Sequence, residues 1–549
     1  MTLSKVLPLE NTKNMKNFHI YLVFCSLNRT FAAMKRNIVT LAILLLTICN
    51  AIYAEDKPAV KNHRFDVMRN LETFSALYKN LDMMYVDSLD PDKTVGIGIK
   101  AMLRSLDPYT EYYPASEVKN LKTMLTGKYA GIGALIKHDL RDSCIVIDEP
   151  YENMPAATAG LKRGDKIISI DDSLMQGKKV DYVSSHLRGE AGTTFSLKIE
   201  RDGKIIKKKI TRKSIQLPCV PYYGILDKEN GIGYLLLTQF TDECSRDIRR
   251  ALVEMRGEGM KSLIFDLRNN GGGALAEAIK IVNMFVPKGV TIVTTKGKIA
   301  RSNNEYKAES EPLDTVMPVV VLVNENSASA SEITAGALKD FKRATIIGKK
   351  TYGKGLVQQP IELPHDASFK VTTSRYYLPA GECVQGIGVK PDIEVSNDSL
   401  PNIAAYLCSS GLDSTEVVFH WEVDYIKSHK KIAPATEFHL TDAEWNNLKE
   451  TIIKSGFKYD RETSKEFDEL IKIAKFEGYY DDAKEEFEAL KTKLNHNLAK
   501  ELDNNRSIIQ RLVEQDIVTA YYFQKGSVAC TLQYDKQVKK AIETLRMKK

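Results

Sequence analysis

The chain has 549 residues, of which 43% are hydrophobic and 27% are charged. This composition excludes a collagen-like, wholly disordered or multi-pass membrane protein, and the length predicts about three or four domains. The formal net charge is +7, but residues 1–54 hold six Lys and Arg against one Asp or Glu, which leaves 72 basic and 70 acidic residues in the remainder. No basic footprint typical of a nucleic-acid-binding protein remains.

The N-terminal residues carry the pattern of a secretory signal peptide. Residues 38–48 (IVTLAILLLTI) are apolar, follow a basic pair, and lead to small residues up to Ala54. We predict a signal peptide at 34–54 and export to the periplasm, with residues 1–33 as upstream sequence translated from an early start codon. Tethering to the inner membrane by an uncleaved segment is the alternative, although eleven apolar residues are about half of a membrane-spanning helix.

Cysteine and histidine spacings give no sign of a metal site. Loss of the residues up to Ala54 leaves six cysteines, which are scattered and include no C-x-x-C: Cys144, Cys219, Cys244, Cys383, Cys408 and Cys530. Such cysteines do not make a disulfide scaffold, although one or two bridges in an oxidising compartment stay open. The histidines show no H-E-x-x-H or other ligand spacing, so the sequence predicts neither a metal nor a cofactor.

The first half of the remaining chain divides into a helical segment and a small β domain. From Phe65 apolar residues recur every three or four positions, which predicts a helical segment over 60–125 with a second helix from about Val95 to Leu106. Over 126–213 short β-rich runs alternate with Gly, Pro and Asp-Gly turns, with one helical stretch near 180–187. This pattern indicates a β domain.

The second half of the chain divides into two regions with different sequence patterns. Over 214–396 apolar strands such as SLIFDL and PVVVLV alternate with helices, which predicts an α/β domain with a buried sheet. From 397 to 549 the composition turns to Lys, Glu, Asp, Leu and Ala with helical periodicity, and Thr441 and Glu444 have the spacing of a capping box. We expect an α+β multidomain protein that ends in a helical region.

The first candidate site in the α/β domain is the run Asp-Leu-Arg-Asn-Asn-Gly-Gly-Gly at 266–273. Backbone N–H groups freed by such a turn point beyond the strand end, which suits an oxyanion or a phosphate. An ordinary tight strand-to-helix turn explains the run equally well. A Walker A phosphate loop is excluded because no Gly-Lys-Ser/Thr follows.

The second candidate is the serine-rich stretch Ser-Ala-Ser-Ala-Ser-Glu at 327–332, between a strand and a helix. A serine at a helix N-terminus lies where the dipole and free N–H groups favour a developing anion. On spacing alone a capping box between Ser329 and Glu332 is the preferred interpretation. Three alternating serines exceed what a cap requires, which leaves room for a nucleophile.

The third candidate is Lys354, which lies between two glycines. A lysine without bulky neighbours can turn inward, lose hydration and, with its pKa lowered, take a proton from a serine. Gln358 follows four residues later and could position the amine by hydrogen bonding. For an isolated Gly-Lys-Gly, a solvated lysine in a turn is preferred. Together, however, the three candidates are the minimal parts of Ser-Lys acyl-transfer catalysis.

With these motifs, and with Leu-Asp-Pro-Tyr-Thr at 106–110, the sequence resembles the C-terminal processing peptidases over about residues 65–395. The resemblance implies a crotonase-like or Clp-protease-like core in which Ser329 is the nucleophile, Lys354 the general base and Gln358 the residue that orients it. It implies an oxyanion hole from the N–H groups of Gly272 and Ala330. Gly271 departs from the family's usual proline, and Asp340 matches an acidic position for which we expect a structural role.

The resemblance also identifies the β domain. Residues 127–134 and 161–170 are similar to a PDZ domain in the permuted form that these peptidases carry. Such a domain adds a peptide as an extra strand and binds its terminal carboxylate with loop N–H groups. The resemblance places that loop at Gly131, Ile132 and Gly133, although glycines in an ordinary β-turn would explain the same residues without the flanking motif.

The sequence therefore predicts an exported serine endopeptidase that recognises protein C-termini. Its expected partners are proteins or peptides with free, apolar C-termini, with an adaptor or a second copy of the chain left open, and nucleic acid is not expected. One alternative is a non-catalytic PDZ scaffold, which would not need Ser329, Lys354 and Gln358 together. The other is a crotonase-like acyl-thioester enzyme, which would leave the PDZ-like region and the signal peptide unexplained.

Overall fold

The structure, a computed structural model, describes residues 63–126, 128–216, 218–396, 399–494 and 497–547. The predicted signal peptide and upstream segment lie outside these residues. The chain divides into two units, the first ending at Val95. The first contains helix α1 (His63–Met84) and the start of α2 (Pro91–Arg104), which begins and ends a few residues before the predicted bounds. Among the described helices none is long and apolar enough to cross a membrane.

After the remainder of α2, the second unit has a short strand that pairs with a strand far along the chain. Strand β1 (Glu111–Tyr113) is followed by α3 (Ala115–Thr126), and β1 pairs antiparallel with residues 368–370. The sequence analysis predicted only helices in this region. A three-residue strand has no periodicity of its own, so its pairing partner, about 260 residues away, could not be inferred from local pattern.

The β domain has a six-stranded sheet, a separate two-stranded sheet of β2 and β9, and two helices. Its strands and helices are β2 (Lys128–Gly131), β3 (Ala134–Asp139), β4 (Cys144–Pro150), α4 (Pro155–Thr158), β5 (Lys166–Ile170), β6 (Ser173–Leu174), α5 (Val180–Leu187), β7 (Thr194–Arg201), β8 (Lys204–Thr211) and β9 (Lys213–Gln216). The main sheet has the order β3-β4-β5-β7-β8. Strand β3 is at its edge, with Ile132, Val183 and Leu187 in the core beside it. The predicted helix at 180–187 is confirmed.

The α/β domain contains the predicted buried sheet and a second sheet that was not predicted. A six-stranded sheet has the order β10-β11-β12-β15-β16-β19, parallel except for β10. Its members are β10 (Tyr222–Asp227), β11 (Ile232–Leu236), β12 (Ser262–Asp266), β15 (Val319–Val323), β16 (Ala344–Gly348) and β19 (Ile393–Glu394). The helices of this domain are α6 (Cys244–Gly257), α7 (Leu275–Asn283) and α8 (Ala330–Asp340).

The second sheet is antiparallel and includes β1. It adds β13 (Thr291–Gly297), β14 (Asn304–Lys307), β17 (Leu356–Glu362) and β18 (Ser368–Tyr377), with β18 pairing with β1, β13 and β17. The sequence did not predict this second sheet, because strand and helix alternation fixes the elements but not their pairing partners. One core joins helices α6–α8 to both sheets, including Phe265, Ile333 and Tyr376.

The C-terminal region is helical, as predicted, and its elements are α9 (Asn402–Cys408), α10 (Val417–Ser428), α11 (Asp442–Lys454), α12 (Glu462–Glu477), α13 (Lys484–Leu494), α14 (Leu498–Asn504), α15 (Arg506–Leu532) and α16 (Lys536–Met547). The capping box of Thr441 and Glu444 is present at the start of α11. Helices α9, α10, α11, α14 and α15 share a core around Trp445. Helix α16 instead packs on the six-stranded sheet.

The β domain contacts the helical region through a buried ion cluster. The guanidinium of Arg163 lies 2.7 Å from Asp148, 2.9 Å from Glu422 of α10 and 3.3 Å from Asp516 of α15. Lys137 adds a 2.6 Å ion pair to Glu416. Burial and the neighbouring carboxylates raise the pKa of Glu422 well above its ordinary value.

Candidate active site

The predicted nucleophile lies where the chain leaves β15 and enters α8. Ser329 is the residue before α8, is half-buried, and has φ 56° and ψ −114°. A positive φ is unusual for serine and costs about 1–3 kcal/mol, so the surroundings must hold this conformation. Such strain is common at sites where a side chain has to be presented.

Glu332 connects the segment that carries Ser329 to residues 351–354, the lysine segment, which carries Lys354. Its carboxylate is fully buried and accepts the N–H of Ser329 at 2.9 Å, half of the predicted capping box. It also accepts the N–H groups of Gly353 at 2.7 Å and Lys354 at 2.8 Å, together with the Thr351 hydroxyl at 2.5 Å. The sequence analysis gave Glu332 only a capping role, but three of its four hydrogen bonds go to the lysine segment.

Tyr376 of β18 makes a second connection between Ser329 and Lys354. Its hydroxyl lies 2.7 Å from the carbonyl oxygen of Lys354 and 3.2 Å from that of Ser329. Glu332 thus binds the N–H groups of Ser329 and Lys354, and Tyr376 binds their carbonyl groups. Sequence reasoning missed Tyr376, whose only signal was an aromatic residue in a predicted strand.

Lys354 has the surroundings of a lysine with reduced basicity. Burial, first, and then the positive charge of Lys370 lower its pKa, against the opposing effect of Glu111, Glu332 and Asp107. Its Nζ lies 4.8 Å from the centre of the Tyr109 ring, in the Leu-Asp-Pro-Tyr-Thr run. The expected inward lysine is therefore half-buried beside an aromatic ring.

Gln358 is near the lysine in sequence, but its hydrogen bond goes elsewhere. It lies in β17, and its Nε2 donates to Thr372 Oγ1 at 3.2 Å. Thr110 Oγ1 accepts the N–H of Thr372 at 3.2 Å and donates to Asp107 at 3.0 Å. Gln358 thus belongs to a network that ties the 107–110 turn to β18, and the orientation of Lys354 by Gln358 stays a prediction.

The glycine turn at 271–273 approaches the nucleophile closely. Gly272 has φ +99°, and a Cβ there would lie 2.7 Å from the Ala328 carbonyl oxygen and 2.8 Å from Ser329 Cβ. Its N–H donates to Asn270 Oδ1 at 2.9 Å, so in this structure the side chain of Asn270 occupies that donor. Ala330, the other predicted donor, is the first residue of α8. The structure therefore brings Gly272 next to Ser329, while the oxyanion hole itself stays a prediction.

The predicted carboxylate loop of the β domain lies between β2 and the edge strand β3. Gly133 has φ +69°, and a Cβ there would lie 2.4 Å from Met154 Cβ, so the position requires glycine. The carbonyl oxygens of Ile132 and Gly133 accept the N–H groups of Ala156 and Tyr151. The Ile132 side chain is buried in the domain core. The loop is thus fixed by contacts on its carbonyl side.

Two further groups of side chains have structural explanations. Asp340 accepts the N–H of Ala380 at 2.9 Å, which agrees with the expected structural role. Asp139, Asp142 and His420 offer ligand atoms within 4.8 Å of one another, a spacing that could hold a metal ion. Two cations already pair with Asp142, because Lys166 lies 2.7 Å and Arg141 lies 3.2 Å from its carboxylate. Arg141 also donates to His420 Nδ1 at 2.7 Å, so that nitrogen is occupied.

Family models match three successive regions of the chain. Peptidase family S41 matches residues 231–395, a PDZ domain matches 146–201, and the C-terminal helical domain of PDZ-proteases matches 408–545. The S41 region contains the segments of Ser329 and Lys354, and the PDZ region covers most of the β domain.

Proteins similar to this chain are named as C-terminal processing proteases or CtpA-like proteases. A carboxy-terminal-processing protease of Bartonella bacilliformis is 36% identical over 340 residues, which cover 61% of this chain and 77% of that protein. A CtpA-like serine protease of Staphylococcus epidermidis is 31% identical over 399 residues, which cover 72% of this chain and 77% of that protein. Among solved structures, the photosystem II D1 C-terminal processing protease is 29% identical, with a TM-score of 0.37, over 60% of this chain and 88% of that chain.

Proposed function

Because this chain belongs to the carboxy-terminal-processing proteases of peptidase family S41, we propose that it is an exported endopeptidase with a Ser329–Lys354 dyad that recognises substrate C-termini through its PDZ domain. The observation that carries the proposal is the pairing of Ser329 with Lys354, whose N–H groups share Glu332 and whose carbonyl groups share Tyr376. A scaffold would not need this double connection.

The proposed reaction is acyl transfer to serine. Neutral Lys354 takes the proton of Ser329 Oγ while that oxygen attacks the scissile carbonyl carbon. The N–H groups of Gly272 and Ala330 stabilise the oxyanion, and the Gly272 N–H first exchanges Asn270 Oδ1 for that oxygen. Collapse of the intermediate breaks the C–N bond, and Lys354 returns the proton to the leaving amine. Water then hydrolyses the acyl-enzyme, with Lys354 again as base.

Lys354 suits the role of base because it is partly removed from water. A lysine at its ordinary pKa of about 10.4 is almost entirely charged at neutral pH and cannot accept a proton. Burial and the charge of Lys370 raise its neutral fraction. Gln358 is proposed to orient the amine when substrate is bound.

The PDZ domain is proposed to bind the substrate tail. An extended peptide can pair with the free edge of β3, and its terminal carboxylate can reach the loop at 131–133. The partners are then proteins with free, apolar C-termini. Export is proposed from the signal-peptide pattern alone.

The test uses an unstructured substrate protein that ends in an apolar residue, with a free or an amidated C-terminus. The wild-type protein should cleave both and should cleave the free form faster. Ser329→Ala and Lys354→Ala should yield no fragments yet bind the free form as the wild type does. Lys350→Ala, an exposed lysine in the same turn, is the matched control and should leave the rate unchanged.

Each alternative has its own outcome. Full activity of Ser329→Ala would refute the dyad. Equal rates on the free and amidated substrates would refute tail recognition but leave the peptidase intact. Peptide binding without fragments from the wild type would favour the scaffold.

A further inference from the structure

The last helix is part of the α/β domain rather than of the helical region before it. Apolar residues of the C-terminal segment, Leu532, Val538, Ala541 and Leu545, pack on one face of the six-stranded sheet against Tyr234, Ile264 and Leu322. Helix α16 therefore covers a sheet whose strand ends carry the candidate site.

This helix begins at an ion pair to the sheet. Arg268 lies two residues after the end of β12, and its Nε and Nη2 donate to Asp266 at 2.5–3.0 Å. Its Nη1 donates to Asp535 Oδ2 at 2.6 Å and to Gln537 Oε1 at 2.8 Å. The Arg268 side chain is 12% exposed and that of Asp535 is 16% exposed. Little water is available to replace these bonds.

Asp535 and Gln537 are themselves held in place. Asp535 Oδ1 accepts the N–H groups of Gln537 and Val538 at the start of α16, as an N-cap residue does. Gln537 Nε2 donates to the carbonyl oxygen of Val395 at 2.6 Å. The two acceptors therefore present a fixed geometry to Arg268.

Arg268 is the second residue of the segment 267–272, which we call the oxyanion loop. The Leu267 carbonyl accepts the Ser327 hydroxyl at 2.8 Å, and the Asn270 carbonyl accepts the Ser331 hydroxyl at 2.8 Å and the Ala328 N–H at 3.0 Å. The loop is thus bonded to the serine segment on both sides of Ser329. A shift of Arg268 would move the backbone that carries Gly272.

We propose that Asp535 and Gln537 are positioning residues that hold the oxyanion loop in its productive place through Arg268. The inference rests on the proposed function, because it assumes that Gly272 binds an oxyanion. The acceptors come from the far end of the chain, so the C-terminal segment completes the catalytic domain.

The test is the kinetics of Asp535→Asn in the full chain, with a chromogenic peptide substrate. Asparagine caps a helix as well as aspartate does, so the change removes the charge that faces Arg268 and keeps α16. Loss of one oxyanion donor costs about 100- to 1,000-fold in kcat, and a displaced donor should cost about tenfold with KM and PDZ-peptide binding unchanged.

The matched control is Arg546→Gln. Arg546 also joins α16 to the sheet, through Asp227 at 2.8 Å, but it does not contact the oxyanion loop. It should keep the wild-type kcat. Gln537→Met removes the other acceptor and gives a second measurement if Asp535→Asn does not fold, with the same loss of kcat expected.

A folded Asp535→Asn or Gln537→Met protein with wild-type kcat would overturn the inference and leave the proposed function standing. Equal losses in Arg546→Gln and Asp535→Asn would also overturn it, because they would indicate a general role of α16 in stability. A wild-type protein that hydrolyses nothing would refute the proposed function, and the inference with it.

Discussion

Glu111 and Lys370 form a 2.6 Å ion pair beside the candidate base, and the two partners act on Lys354 with opposite sign. Lys370 lowers the pKa of Lys354 and Glu111 raises it. Because β1 pairs with β18, a three-residue strand from the 107–113 region brings this carboxylate to the site.

Because Glu111 and Lys370 have opposite effects on the pKa of Lys354, their removal should shift the pH dependence of cleavage in opposite directions. Lys354 acts as a base only when neutral, so the rate rises as pH rises through its pKa. Lys370→Met removes a positive neighbour and should move this rise to higher pH. Glu111→Gln removes a negative neighbour and should move it to lower pH. The measurement is kcat/KM against pH, and shifts in the same direction would contradict the assignment of Lys354 as the titrating base.

Removal of the Glu332 charge should damage both the site and its stability. Glutamine has one acceptor oxygen and a donor amide, so it cannot accept all four hydrogen bonds that Glu332 receives. We expect the unfolding free energy of Glu332→Gln to fall by about 2–4 kcal/mol and kcat by about 100-fold or more. Denaturant unfolding and steady-state kinetics measure the two. Glu325→Gln, at an exposed residue in the loop before α8, is the control and should change neither.

Two adjacent glycines should differ sharply in their tolerance of alanine. Gly272→Ala places a methyl group 2.7 Å from a carbonyl oxygen and 2.8 Å from Ser329 Cβ at a positive φ, so it should displace the nucleophile and reduce kcat by about 100-fold. A Cβ at Gly271 meets open space, so Gly271→Ala should keep nearly full activity. Comparable rates for the two variants would argue against a close approach of Gly272 to the reaction centre.

The carboxylate loop gives a similar comparison in the PDZ domain. Gly133 and Gly177 share φ +69°, but a Cβ collides with Met154 at the first and meets nothing within 4 Å at the second. Both alanine variants carry the same backbone strain, and only Gly133→Ala should distort the loop. We expect about tenfold weaker binding of a peptide with a free C-terminus by Gly133→Ala alone. Fluorescence anisotropy measures the peptide affinity. Equal losses of affinity in both variants would indicate that the loop does not bind the peptide.

The sequence predicted the strands and helices of the α/β domain and the segments that carry Ser329 and Lys354, because turn residues and apolar runs are local signals. It could not predict that β17 and β18 leave the parallel sheet to form a second one. Pairing between strands depends on tertiary contacts, which periodicity does not contain.

The same limit applies within the site. Glu332 had a complete local explanation as a capping residue, so its bonds to residues 351–354 were not foreseen. Tyr376 lies 47 residues from Ser329 and Asp535 lies 267 residues from Arg268, and neither belongs to a motif. A resemblance identified the proposed reacting groups, whereas the residues that hold their segments emerged only from the fold.

The charged cluster around Arg163 decides how the PDZ domain can separate from the helical region. Separating two apolar surfaces costs free energy in proportion to the apolar area exposed to water. Separating buried ions instead restores their hydration, which lowers the cost. Separation here would release one guanidinium and three carboxylates into solvent, which offsets much of the broken attraction. Salt can screen the attraction of Asp516, whose side chain is 39% exposed, but it screens the buried Arg163–Glu422 pair much less, so high ionic strength should weaken the attachment of the domain only in part.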